Sequence, residues 1–168
     1  MAQFRDVLLT LNRLKAEGVI REYAIGGAVA VSLWDEPVAT QDLDVIVTVD
    51  ADSPPLDPLR ALFDWFDRHA QPVAGEHVVI AGVPVQFLVA WSPLVEEAVA
   101  AAAEAVYDPA EPGSPAIRLI KPTYLVAMWQ TGQGADTPRR RERAARLREA
   151  GLVDEALLAE LLSRTSGQ

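Results

Sequence analysis

The stretch LDVIVTV, Leu43 to Val49, is dense in β-branched residues and is the most strand-like run in the chain. Two aspartates, Asp42 and Asp44, stand one residue apart where it begins. Side chains alternate across a strand, so both carboxylates project from one face. Two like charges that close repel unless a cation or a hydrogen-bond donor lies between them. A strand that starts this way either begins at the solvated surface or binds something positive.

Upstream, YAIGGAVAVSLW reads as a short strand, two glycines and a helix. Glycines at such a junction let backbone N–H groups approach a phosphate, and a helix N-terminus adds a favourable field. Fourteen residues separate Gly27 from Asp42. A helix and a turn of that length return the chain beside the first strand, so the glycines and the aspartates are expected at neighbouring strand ends. Hard oxygen donors with no nearby Cys or His favour magnesium or manganese over zinc.

The remaining segments predict a mixed α/β layer with a helical tail. An amphipathic helix carries Phe4, Val7, Leu8, Leu11 and Leu14 and ends at Gly18. After a Pro-rich loop, LRALFDWFDRHA places Leu59, Leu62, Phe63 and Phe66 on one helix face. HVVIAGVPVQFLVAW predicts two strands with a turn between Ala81 and Pro84. LVEEAVAAAAEAVY predicts one alanine-rich helix, followed by a loop and the short strand IRLI. Pro122 suits the first turn of the next helix. Two helices, Pro138 to Ala150 and Asp154 to Ser163, close the chain, with Asp154 as N-cap of the second.

With 168 residues, half of them hydrophobic, the chain can bury a sizeable core as one compact unit. We expect a core over residues 1–115 and a helical segment over 116–168 packed upon it. It has no cysteine, which excludes disulfides and thiolate metal sites, and a reducing cytoplasm is the default expectation. No apolar run is long enough to span a membrane, and the charged first residues do not read as a secretory signal. The net charge of −9 opposes nucleic acid overall, yet TPRRRERAARLR is strongly basic. Arg139, Arg143 and Arg146 recur at helical spacing there. That face is either solvated beside Glu142 and Glu149 or a contact for phosphate.

The block YAIGGAVAVSLWDEPVATQDLDVIV resembles the start of the nucleotidyltransferase fold shared with DNA polymerase β. It is most similar to the minimal bacterial nucleotidyltransferases and the abortive-infection toxins. VPVQFLVAWSPLVEEAV and YLVAMWQTG resemble an uncharacterised branch of the same group. The resemblance implies a small mixed sheet packed with helices. It implies that Gly26 and Gly27 hold nucleotide phosphates, with Thr40, Gln41 and Gln86 nearby, and that Asp42 and Asp44 are catalytic and ligate divalent ions (Mg2+ or Mn2+). It implies an NTP as substrate and transfer of a nucleoside monophosphate to a hydroxyl of RNA, protein or a small molecule. It also leaves room for a degenerate nucleotide-binding protein, and for a toxin paired with an antitoxin or a second copy.

The chain departs from that pattern in three places. Gln86 stands where active relatives carry a third acid, and Glu76 is the nearest alternative. A glutamine carbonyl can ligate a metal, but it cannot serve as a general base. Val38, Ala39 and Gln41 are neutral where relatives place a basic residue shortly before the paired acids, and Gln133 precedes an arginine run in place of an Arg and a Lys-Asp pair. His69 and His77 read as surface or boundary residues, and Lys121 as a surface lysine beside a strand end. The four tryptophans read as core, with Trp34 and Trp91 as alternatives for base stacking.

Overall fold

The computed structural model describes residues 2–35, 42–50, 56–69, 71–132 and 137–165. The described residues alternate as α1 (Ala2–Ala16), β1 (Glu22–Ile25), α2 (Gly27–Trp34), β2 (Leu43–Thr48), α3 (Arg60–Arg68), β3 (Val73–Ala74), β4 (His77–Ile80) and β5 (Val83–Val89). They continue as α4 (Pro93–Ala100), β6 (Ala103–Val106), β7 (Ala116–Leu119), α5 (Pro122–Gln130), α6 (Pro138–Glu149) and α7 (Glu155–Thr165).

One mixed sheet runs in the order β3-β4-β5-β2-β1-β7-β6. The apolar run that opens the sequence argument lies at its centre. β2 is flanked by antiparallel β1 and parallel β5, and all its residues but Asp44 are buried. A strand covered on both faces reads as a continuous hydrophobic run rather than an alternating one.

The two faces carry different helices. Tyr23, Val45 and Phe87 point toward α1 and α3. The Tyr23 hydroxyl donates to Asn12 of α1 at 2.8 Å, and Phe66 of α3 meets Phe87 with ring centroids 5.4 Å apart. Trp65 Nε1 ties α3 to α1 by donating to Glu17 at 2.6 Å. The opposite face carries Asp44, Ile46 and Gln86 and is covered by α2 and α4, on which α5 packs. α6 and α7 pack on α5. Asp154 caps α7 as expected, accepting from Leu157 N at 3.0 Å.

The structure corrects two expectations. The alanine-rich helix stops at Ala100, and Ala103–Val106 is a strand. It pairs antiparallel with β7, and Arg118 Nη1 donates to its register partner Glu104 at 2.8 Å. Arg118 also donates to the Tyr23 and Val99 carbonyls, so pairing and a three-way clamp override the helix propensity of alanine. Trp91 is not core: it is 45% exposed, whereas Trp65 is buried and Trp34 donates to the Ile120 carbonyl at 2.8 Å.

Tyr23 is fully buried and its hydroxyl bond to Asn12 partly so, and Asn12 in turn donates to the Ala116 carbonyl at 3.0 Å. Tyr23→Phe leaves the Asn12 oxygen without its donor. We expect a loss of about 1–2 kcal/mol, read as a lower urea midpoint at unchanged slope.

Candidate active site at the end of the central strand

β1 and β2 are antiparallel, so the end of one lies beside the start of the other. Ile25 pairs with Val45, and Gly26 N donates to the Asp44 carbonyl at 2.9 Å. The glycines and the aspartates therefore meet at neighbouring strand ends. On the other side, Asp44 is in register with Gln86 of β5, and Gln86 with His77 of β4. Residues opposite one another share a sheet face, so Asp44, Gln86 and His77 form a row across three strands. Asp42 stands on the same face two residues earlier.

Gly27 is the tightest point. Its φ is +57°, a region that L side chains rarely adopt, and a Cβ built there would overlap the Asp44 carboxylate. The carboxylate thus rests against the first turn of α2, where the helix field favours negative charge. Gly26 is less constrained, since an added Cβ would touch Ile46 at an ordinary 3.4 Å.

Charge around Asp44 is unbalanced. Burial, then the neighbouring Asp42, push its carboxyl above the ordinary value; Arg140, His77 and Arg143 act in the opposite sense and are outweighed. Arg140 and Arg143 belong to α6, so the charge of that helix is felt at Asp44.

The donors suit a hard divalent cation. Two carboxylates share one face, and their mutual repulsion is what a cation would relieve. Gln86 Nε2 donates to Glu76 Oε2 at 3.3 Å, which leaves the amide oxygen to accept. Among the described residues no three Asp, Glu, His or Cys side chains come close enough to hold a metal unaided. Ligand oxygens would have to complete the shell.

His77 opens β4 at the boundary position expected of it, but sequence reading did not join it to the acids. Its Nε2 lies 3.5 Å from Asp42 Oδ2 and its side chain is 31% exposed. The signal was present: a two-residue turn at Ala81 and Gly82 sets Ile80 opposite Val83, and counting back sets His77 opposite Gln86. His69, by contrast, sits far from the acids, stacked on Trp65 with ring centroids 3.9 Å apart. Lys121 is exposed and precedes α5. Thr40, Gln41 and Gln133 lie outside the described residues.

A scan against known protein families finds no match. A search of curated proteins finds no relative. Solved structures do match. One is an antigenic nucleotidyltransferase-like protein from Paracoccidioides brasiliensis, with TM-score 0.54 and 14% identity, over 87% of this chain and 74% of that one. The chain has a nucleotidyltransferase-like fold. The antibiotic-resistance factor ANT(2'')-Ia matches in solution with TM-score 0.52 and 15% identity, over 99% of this chain and 94% of that one. Its crystal structure with adenylyl-2''-tobramycin matches with TM-score 0.52 and 15% identity, over 97% of both chains. No helix among the described residues is long and apolar enough to cross a membrane.

Two predictions follow from the packing of Asp44. Gly27→Ala should cost at least about 2 kcal/mol by chemical denaturation, and Asp44→Ala should recover part of that loss in the double variant, because the overlap is pairwise. An acid whose folded-state value is raised binds more protons folded than unfolded. Stability is then fully present at low pH and is lost as pH rises through the folded-state value. Without metal, Asp44→Asn should therefore melt above the wild type at pH 8. The difference should vanish at pH 3.

Proposed function

We propose that the chain is a metal-dependent nucleotidyltransferase that moves a nucleoside monophosphate from an NTP to an acceptor hydroxyl. The observation that carries this reading is the Asp42–Asp44 pair set against the glycine turn of α2, with the charge of Arg140 and Arg143 of α6 felt at Asp44. The fold of the solved neighbours supports it.

In this reading Asp42 and Asp44 hold Mg2+ or Mn2+, with the Gln86 oxygen beside them. The bound cation would supply charge neutralisation at the triphosphate and lower the barrier to deprotonating the acceptor. Gly27 presents its backbone N–H at the start of α2 to the phosphates, while the Gly26 N–H is held by the Asp44 carbonyl and shapes the turn. Arg140 and Arg143 balance the charge of the departing pyrophosphate. The acceptor oxygen attacks the α-phosphorus in line, the bond from that phosphorus to the bridging oxygen breaks, and pyrophosphate leaves. The hydroxyl proton passes to water, which reaches the site because Asp42 is 43% exposed. Most of the acceleration comes from positioning and charge, as is usual for phosphoryl chemistry.

One observation favours a second reading. The register position beside Asp44 holds Gln86, which cannot take a proton, so the protein would bind nucleotide without turnover. Titration of ATP, GTP, CTP and UTP with Mg2+ into wild type and Asp44→Asn separates the two when combined with a pyrophosphate-release assay. Transfer predicts metal-dependent binding weakened at least tenfold in Asp44→Asn, together with pyrophosphate release. Binding with no release over any acceptor panel of sugars, peptides and RNA selects the second reading. No binding by either protein refutes both.

A further inference from the structure

β6 ends the sheet, so one side of it has no neighbouring strand. Tyr107 N donates to the Pro115 carbonyl at 3.0 Å, which makes these two a hydrogen-bonded pair in the β6–β7 register. Hydrogen-bonded and non-hydrogen-bonded pairs alternate along an antiparallel ladder. Ala103 and Ala105 therefore also turn their N–H and C=O groups to β7, whereas Glu104 and Val106 turn theirs outward. Among the described residues no group meets these four. Beyond them, Ala102 N is taken by the Val99 carbonyl and Asp108 N by Ser114 Oγ.

Exposed edges are commonly blunted by lysine, proline, a bulge or extreme shortness. β3, at the other edge, has two residues. β6 keeps its register unbroken over four residues, contains no lysine or proline, and leaves Val106 53% exposed. Its one charged side chain, Glu104, is engaged by Arg118 of its own chain.

This edge matches itself. A twofold axis through the sheet sets a strand antiparallel to its copy, and outward residues must then pair with outward residues. Centring on Glu104 opposes two glutamates and calls on the engaged Ala102 N–H. Centring on Val106 opposes Glu104 to the copy's Asp108, whose N–H is also engaged. Centring on Ala105 opposes Glu104 to the copy's Val106, uses every free group and opposes no like charges. It also sets the two Ala105 residues at a non-hydrogen-bonded pair, where Cα atoms approach to about 4.5 Å and small side chains fit.

We propose that the β6 edge binds a second copy of this chain, antiparallel and centred on Ala105, so that two seven-stranded sheets become one. Each Glu104 exchanges both backbone hydrogen bonds with the opposite Val106, and its aliphatic stem covers that valine. An extended peptide could use the same groups, but the self-matching register favours the copy. β6 lies three places from β2 in the sheet, and the proposal is independent of the reading of the acid pair. The contact is small, so the dimer should form in the range of roughly 0.1–1 mM.

The test is sedimentation velocity over that range on the wild type, Val106→Glu and Val106→Lys. Oxidative cross-linking of Ala105→Cys and Val106→Cys accompanies it, since the chain has no cysteine of its own. Val106 is exposed, so its replacement should leave the fold intact, and circular dichroism checks this. We expect the wild type to pass from monomer to dimer. Val106→Glu, which opposes like charges, should stay monomeric. Val106→Lys, which opposes a cation to Glu104, should dimerise at least as well as the wild type. Ala105→Cys should cross-link at least tenfold faster than Val106→Cys, whose Cα atoms stand about 8 Å apart in this register, beyond disulfide reach. A wild type that stays monomeric, a dimer unaffected by Val106→Glu, loss of the dimer in both charge variants, or equal cross-linking at the two positions overturns the proposal.

Discussion

The Asp44 carboxylate rests against the first turn of α2, and only a glycine at position 27 leaves room for it. Much else in the fold serves that contact. β1 must run antiparallel to β2 so that Gly26 can donate to Asp44 and the chain can turn into α2 at the right height. β2 must be central, because the strands that bring Gln86 and His77 into the same row lie on its other side. The buried half of β2, from Val45 to Thr48, anchors this arrangement in the core, while Asp42 and Asp44 stand at the water-accessible end.

The same contact concentrates charge. Two carboxylates on one strand face would repel in any environment, and burial of Asp44 sharpens the conflict. The chain relieves part of it from a distance, through α6. The charge of its arginines is felt at Asp44, and α5, packed on α2 and α4, carries α6. The result is an anionic strand end in the field of a cationic helix. Such a pair of surfaces suits a ligand that brings both a metal ion and phosphates.

Much of this was legible in the residues. The spacing of Gly27 and Asp42 and the apolar run after Asp44 led to neighbouring strand ends, and the sheet places them there. The Gly-Gly and Asp-x-Asp block carried the resemblance to the nucleotidyltransferase fold. What failed has a physical cause in each case. Ala103–Val106 has helix-forming composition and becomes a strand through pairing with β7 and the Arg118 clamp, neither of which is local. His77 has no metal-like spacing along the chain, and it joins Asp42 only through the register of a hairpin.

The central claim is that the strand end bearing Asp42 and Asp44 is a cation site. The most direct measurement is amide NMR of the labelled chain during titration with Mn2+, whose unpaired electrons broaden nearby resonances. The account predicts that the Gly26, Gly27, Asp44 and Gln86 amides disappear first, and that excess Mg2+ restores them. Broadening centred elsewhere, with those four amides unaffected at saturating Mn2+, would contradict it.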